Sequence, residues 1–470
     1  MSTEYHESSK IYTKHISYTG ERENLAPPSE TSSGCLSAIS EDPAGEGDGA
    51  TLGHKGLSVG LGAMFLIGEM AGAGVLNLPK AIANTWWVGL PMLTVLCVAV
   101  GYSGTRLALC WVLLEERWPK YSTPCRRPYP VIAYCAFGKA GQIVTEISLG
   151  LTLFGAGTVY LLLISQLVYD LLAQLVPNIS QCAWCLIIGL TLIPFTWLAT
   201  PKDFWPASIA AMSSTLVACL VVIVEVILER NDHEPPVYTT PSFHTFFLGF
   251  GSILFALGGA SIFPTVQNDM RDKAQFPQSI VITFLVLLAL YLPLGTISYG
   301  VLGTNGMKDN ILQCVTGTAV VVSKALLLCH FIFAFIIIIN PVNQTLEGLL
   351  NFPNKMGVRR CLMRGAVMLG IISTGLAVPE FSKILDLVGG STVTLMSFIM
   401  PPLCYLRLCS LSRLDGLPMR VLRSGEKVLL VLIMLVGVTG GVAATWSALQ
   451  EILSPGAFTT TCFSRTTFLV

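Results

Sequence analysis

The chain has 470 residues, of which 53% are hydrophobic and only 12% charged, whereas in soluble domains roughly 25% of residues carry charge. Its 28 Lys plus Arg balance 28 Asp plus Glu, which excludes a nucleic-acid binder with a basic face, a large soluble enzyme and a charged disordered scaffold. With a mean hydropathy of +0.67, the solvent this composition suits is the lipid bilayer.

Polarity is concentrated at the start. Residues 1–55 hold nine acidic and four basic residues among Ser, Thr, Gly and Pro, a pattern that predicts a disordered acidic tail. No cationic stretch precedes an apolar one there, so no cleavable signal peptide is expected and the first membrane segment directs insertion. Residues 56–452 form the predicted membrane domain, and 453–470 a short final tail. Apolar runs of about 20 residues, the length that crosses the hydrocarbon core, lie near 57–83, 88–113, 142–172, 182–199, 205–228, 246–268, 278–303, 318–342, 362–378, 384–406 and 428–450. These runs are too long and too uniformly apolar for barrel strands, and backbone groups in lipid must be bonded within the segment. The expected fold class is therefore an all-α membrane protein with eleven transmembrane helices.

Charge orients the bundle. The loops after segments 2, 4, 6, 8 and 10 carry 17 Lys and Arg, against Arg230, Lys308, Lys383 and Arg465 in the alternate set. By the positive-inside rule this puts the N-terminus in the cytosol and the C-terminus outside or in a lumen. The Asn178-Ile179-Ser180 sequon then falls on the glycosylated side, and Asn343-Gln344-Thr345 on the cytosolic side, where it stays bare.

Two segments are unlike the rest. Segment 1 carries Ala71-Gly72-Ala73-Gly74 near its middle with Pro79 beyond it, and segment 6 carries Gly258-Gly259 with Pro264 beyond it. A small-residue break followed by Pro, repeated in segments five apart, points to discontinuous helices in an inverted-repeat transporter. An interrupted helix offers unpaired carbonyls at the end of one half and unpaired N–H groups at the start of the other. A zwitterionic amino acid matches that charge pattern. The amides of Ala73, Gly74 and Val75 are expected to face its carboxylate. Carbonyls around Ala71 and from Phe255 to Gly258, beside Gly259, are expected to face its ammonium. The competing reading of each break is close helix packing at small residues.

The runs GAGVLNLPKAIAN (72–84), FGSILFALGGASIFPTVQNDM (250–270), YLPLGTISYGVLG (291–303) and, most specifically, ILDLVGGSTVTLMSFIMPPLCYLRL (384–408) resemble the amino acid/auxin permease family. The resemblance covers about 57–450. It implies a secondary transporter of the leucine-transporter type, with repeat 1 at 57–228, an inverted repeat 2 at 246–408 and helix 11 at 428–450. It also implies an amino acid as the small-molecule substrate, with a proton or sodium as coupling ion. The sodium-coupled branch tends to carry Asn four residues before the first Gly of the segment 1 motif. This chain has Gly68 there, followed by Glu69, whose charged form an apolar span disfavours, which makes it the candidate proton carrier. The alternatives for Glu69 are a pair with Lys324 of segment 8, itself a second ion-coupling candidate, or a turn towards cytosolic water.

Other ionisable residues within spans are Arg106, Glu146, Asp170, Glu225 and Asp386. Arg106 and Glu146 are expected as a gate or structural pair on the cytosolic side. In the implied fold helix 3 faces the broken helices and brings Thr152, Phe154, Gly155 and Tyr160 to mid-depth, with the Tyr160 hydroxyl reaching a substrate carboxylate. The small Ala260 and Ser261 leave room for a medium or large substrate side chain. Cys314 with Cys462 is a candidate disulfide, with Cys182 as a competing partner. Loop 118–138 is expected as an amphipathic cytosolic connector. No P-loop, HExxH or GxSxG motif occurs, and no cofactor or metal centre is expected. The lipid bilayer is an implied partner, while protein partners are not legible. Plasma membrane and endolysosomal or vesicular membranes fit equally, and a non-transporting amino acid sensor is the alternative from another class.

Overall fold

The computed structural model describes residues 56–454 and Cys462, except 119–120, 122–124, 126, 198–204, 351, 353–356 and 412–421. The predicted tail 1–55 and most of 453–470 lie outside the described residues. The chain divides into Met1–Asp48 and Gly49–Val470, and every described residue belongs to the second unit.

Among the described residues the regular elements are helical: α1 (Val59–Met70), α2 (Ala73–Thr85), α3 (Gly89–Arg117), α4 (Pro128–Leu172), α5 (Gln181–Thr196), α6 (Trp205–Leu228), α7 (Phe243–Ala256), α8 (Phe263–Asn268), α9 (Phe276–Leu302), α10 (Thr318–Leu349), α11 (Val358–Ala377), α12 (Phe381–Val388), α13 (Met400–Leu411) and α14 (Ser424–Leu453). Among the described residues eight helices are long and apolar enough to cross a bilayer, against the eleven crossings expected. The other three predicted segments contain the shorter apolar helices α1, α5 and α7. Helices α1 and α7 stop at the predicted interruptions. Helix α5 has 16 residues, about 24 Å at 1.5 Å per residue.

Polar caps define several ends. The hydroxyls of Ser58, Ser180 and Ser242 accept the amides of Leu61, Ala183 and Thr245 at the starts of α1, α5 and α7, each supplying an acceptor to a first-turn N–H that has none in the helix. Between α12 and α13 the chain runs through two π-helical turns, Gly389–Val393 and Leu395–Ile399. Here Gly389 lies directly against the carbonyl of Gly251 on α7, and Gly390 against Ala444 on α14. The widened turns thus occur where α12 is pressed on two sides, a setting in which π-turns are frequently found.

The packing follows the paired breaks. Helix α2 lies on α7, α1 on α6 and α9, and α4 along α10 and α12. Large apolar side chains such as Val95, Leu285, Leu432 and Trp446 are exposed, which suits a surface bathed by lipid.

Several sequence expectations are corrected. Of the connector expected over 118–138, the described stretch from Pro128 is helical and lacks the exposed face that an amphipathic segment has. Pro128–Ala136 is almost wholly buried, and Tyr129 donates to the Met396 carbonyl at 2.6 Å; the chain then bends at Gly138 (φ +69°). Arg106 and Glu146 do not pair. Arg106 meets Glu426 of α14 at 3.1 Å and lies over the Tyr102 and Tyr405 rings, while Glu146 meets Arg127 at 3.7 Å. Cys462 is bonded to Cys182, with Cα atoms 5.6 Å apart. Cys314 is a free thiol that accepts the Lys308 amide at 3.3 Å, and burial pushes it up from its ordinary value, which disfavours the thiolate.

Among the described residues the most deeply buried cation ties three helices. Arg364 on α11, 1% exposed, donates to Glu347 of α10 at 2.6 Å and to the Thr196 carbonyl of α5 at 2.6 Å; Arg360 donates to the same carboxylate at 2.7 Å. Arg364→Ala leaves the buried Glu347 carboxylate with Arg360 alone and strips the Thr196 carbonyl of its donor, so it is expected to cost about 3 kcal/mol. The check is thermal melting of the purified protein in detergent. The exposed Arg359→Ala is expected to leave the transition within 1 °C of wild type, as a surface change does (about ±0.5 kcal/mol).

Candidate functional site

Helix α1 ends where Ala71 and Gly72 leave helical geometry (φ −78°, ψ 44° and φ −97°, ψ −124°). The Ala71 amide still bonds the Ile67 carbonyl at 2.8 Å, and α2 restarts at Ala73. Pro79 lies inside α2 and does not make the break. It removes an amide within the second half, so the carbonyl four residues earlier loses its usual helical donor. Helix α7 ends in the same way. The Leu257 amide bonds Ile253 at 3.1 Å and the Gly258 amide bonds Phe255 at 3.0 Å, after which the chain unwinds until α8. Pro264 there takes one of the first two helical positions, where a missing N–H costs nothing.

The two interruptions lie against each other. A Cβ added at Gly74 would fall 2.6 Å from the Ala256 Cα, so the start of α2 touches the end of α7 backbone to backbone. A Cβ at Gly259 would strike the Met70 side chain, so the second break meets the end of α1. Tyr291 of α9, fully buried, places its hydroxyl 3.3 Å from the Met70 carbonyl and 3.2 Å from the Ala256 carbonyl. One phenol thus addresses the last carbonyls of both first halves, groups that an interrupted helix leaves without intrahelical donors.

Tyr160 reaches the other side of the first break. Its hydroxyl lies against Gly72, where a Cβ would collide with it, and it interacts with the Ala73 amide. The ring packs edge-on against Phe331 at 5.3 Å. The Val75 amide bonds the Gly72 carbonyl at 3.3 Å. Two of the three amides expected to face a ligand carboxylate therefore have protein acceptors in this conformation. Glu69, partly buried, is close enough to Tyr160 to act on it electrostatically. It does not pair with Lys324, which donates to Asp170 at 2.9 Å. Ala71, Gly72, Ala73, Gly74, Val75, Tyr160, Gly259 and Ala260 are buried, while Phe255, Gly258 and Ser261 are partly so.

The predicted residues are thus brought together around the breaks, with two departures. Gly74 serves helix contact, the alternative weighed for it, and Lys324 belongs to a separate ion pair. A small apolar cavity opens beside Val75, lined also by Thr215, Cys219, Leu294 and Leu327. Asn178 is exposed and Asn343 is 1% exposed.

Tyr291 is the principal residue that pattern reading missed. It lies in the recognised stretch 291–303, but Tyr in a membrane helix gives no hint of which carbonyls its hydroxyl meets. Asn77 and Ser252 were also passed over. Asn77 donates to Ser252 at 2.9 Å, and Ser252 donates to Asp386. The polar Asn directly after an apolar break was the available signal.

The chain is similar to known proteins in sequence and in fold. Residues 55–447 match the family described as transmembrane amino acid transporter protein. The chain is 25% identical to amino acid transporter AVT1B of Arabidopsis thaliana, over 82% of this chain and 70% of that protein. It is 28% identical to amino acid transporter AVT3B of the same plant, over 82% of this chain and 91% of that one. Among solved structures, MhsT in complex with L-phenylalanine superimposes with a TM-score of 0.52 at 10% identity, covering 84% of this chain and all of that one. The shared feature is the leucine-transporter-type fold.

Because the Tyr291 hydroxyl serves two carbonyls, Tyr291→Phe is expected to lower stability by about 1–2 kcal/mol. Gly74→Ala forces backbone apart at Ala256 and is expected to cost about 2 kcal/mol. Both are read as lowered melting temperatures in detergent, against Gly60→Ala, where a Cβ meets nothing within 4 Å.

Proposed function

Since the chain belongs to the family of transmembrane amino acid transporter proteins, we propose that it is a proton-coupled secondary transporter that alternates access around the two breaks. The observation that carries this reading is the contact of Gly74 with Ala256 and of Gly259 with Met70. It brings the carbonyl ends and amide starts of both broken helices into one small volume, where a zwitterion meets both signs of partial charge.

In the described conformation Tyr160 takes the place at Ala73 that suits a substrate carboxylate. An arriving carboxylate accepts the Ala73 amide, and the displaced phenol donates to the carboxylate in turn. The ammonium lies against carbonyls of the second break, beside Phe255 and Gly258. An apolar side chain on the substrate reaches towards the cavity beside Val75, which favours neutral aliphatic amino acids over charged ones. Glu69, a turn before the break and with no Lys, Arg or His pairing with it among the described residues, is the proposed carrier of the coupling proton. The asymmetry of 17 against 4 basic residues supports a cytosolic N-terminus. On that topology the ends of α2 and α12 nearest Thr85 and Phe381 face the exoplasm, and the exposed Asn178 is open to glycosylation.

On this reading two sets of contacts serve as the gates at the two ends of the pathway. At the cytosolic end the Leu57 amide bonds the Asp269 carbonyl at 2.9 Å and the Arg271 amide bonds Leu57 at 3.0 Å. At the other end α7 abuts α12 through Gly251 and Gly389. Transport then requires each set to part in turn, with α1, α2, α3, α7, α8 and α9 moving against the remaining helices.

The test is uptake of labelled neutral amino acids by the purified protein in proteoliposomes, under a proton gradient without sodium and under a sodium gradient at matched pH. Accumulation on the proton gradient is expected, whereas accumulation on sodium alone overturns proton coupling. Tyr160→Phe removes a hydrogen bond to a charged ligand and is expected to weaken substrate binding about tenfold or more. Glu69→Gln is expected to abolish accumulation driven by the pH gradient, and unchanged pH dependence would remove Glu69 from the mechanism.

A further inference from the structure

A second carboxyl group lies on the opposite side of the breaks from Glu69. Asp386 on α12, 6% exposed, begins less than two turns inside the end of that helix at Phe381. Its Oδ1 accepts the hydroxyl of Ser252 on α7, and the Ser252 oxygen accepts the amide of Asn77 on α2 at 2.9 Å. Three helices are thereby joined by one polar chain. Two of them, α2 and α7, are the halves of the interrupted helices that point towards this end.

The surroundings of Asp386 hold no close cation. Among the described residues none of Lys, Arg or His lies within ion-pair distance of it. The charges that reach it are Asp309 from the segment before α10, Glu451 from α14 and Lys80 from α2. Lys80 donates to the Met307 carbonyl at 3.3 Å, and Asp309 accepts Ser382 at 2.6 Å. Glu451 has Lys383 of α12 and His244 of α7 at 3.9 and 3.7 Å. Helix α4 presents Gly155 to Val388 of α12, and α7 presents Gly251 to the Asp386 carbonyl at a distance with no room for a Cβ.

The backbone contact matters because it forbids water between α7 and α12 while they are together. Closing over an ionised carboxylate with a single hydroxyl partner and no cation carries the full desolvation cost of a charge. Closing over the acid does not. Structural carboxylates elsewhere in this protein, Asp170, Glu347 and Glu115, each have a Lys or Arg within 3 Å. Asp386 departs from that pattern at the seam where the two interrupted helices meet α12.

From this geometry we infer that Asp386 is a proton-binding site of the transport cycle, tied to both interrupted helices through Ser252 and Asn77, so that taking up a proton and closing this end are one event. Ser252 keeps donating to Oδ1 while the proton resides on Oδ2. When α2 and α7 swing away, the chain breaks at Ser252, and the proton exchanges with water on that side. Asp386 and Glu69 then stand on opposite sides of the breaks, one towards each compartment.

This inference rests on the proton-coupled reading above, and the experiment separates the two. Full-length wild type, Asp386→Asn and Ser252→Ala are reconstituted, and uptake and counterflow of labelled neutral amino acids are measured against pH. Asp386→Asn retains an acceptor for Ser252 but cannot titrate. One proton per substrate gives about tenfold accumulation per pH unit, and Asp386→Asn is expected to bring that factor to about one while counterflow is retained. Ser252→Ala keeps the carboxyl and loses its tie, and it is expected to shift the pH midpoint of counterflow. Proton-driven accumulation of wild-type size in Asp386→Asn overturns the inference and leaves the transporter reading standing. Should Asp386→Asn fail to fold, a Ser252→Ala profile superimposable on wild type overturns it as well. Wild-type flux without any proton stimulation overturns this inference and proton coupling together, and absence of flux and exchange in wild type overturns the transporter reading itself.

Discussion

A helix interrupted inside a membrane leaves carbonyls and amides without partners, and hydrocarbon offers none in exchange. The arrangement of this bundle follows from that constraint. The ends of α1 and α7 are laid side by side, so that the Tyr291 hydroxyl can serve Met70 and Ala256 together, and the start of α2 is covered by Tyr160. Glycine at 74 allows the backbones of α2 and α7 to touch. The contact between the breaks is therefore a condition for having breaks at all. The same contact converges the partial charges that a zwitterionic substrate needs.

Charge in the interior is treated in two ways. Arg364 with Glu347, Lys324 with Asp170 and Arg106 with Glu426 form pairs at helix junctions, where each partner offsets the desolvation of the other. Those pairs join helices away from the breaks. Glu69 and Asp386 are placed differently, beside the breaks and without a cation at ion-pair distance among the described residues. Groups of that kind within a membrane protein are tied to function by default, and their positions on either side of the site fit a cycle in which one face opens at a time.

The helical bundle, the two interrupted segments and the convergence of 71–75 with 255–261 were legible in advance. Apolar run length and small residues at matched positions are properties of the chain itself. The partners of long polar side chains were not legible. Arg106 takes Glu426 rather than Glu146, and Cys182 rather than Cys314 takes Cys462, because such choices depend on which helices are neighbours and at what height. Loop 118–138 misled for a related reason. Its mixture of polar and aromatic residues reads as amphipathic, yet Tyr129 is buried and bonded to Met396, a fact about α12 and the turns that follow it.

By itself, then, the sequence determined that the chain crosses a membrane as helices, where two of those helices break, and which residue types surround the breaks. Each of these is a local matter of hydropathy, backbone satisfaction and glycine or proline placement. Only the tertiary structure decided that Gly74 touches Ala256, that Tyr291 bridges two helix ends and that Asn77, Ser252 and Asp386 form one chain across α2, α7 and α12. Those contacts join residues up to 221 positions apart, from Met70 to Tyr291. Their distances are set by how whole helices pack, a property that no local pattern encodes.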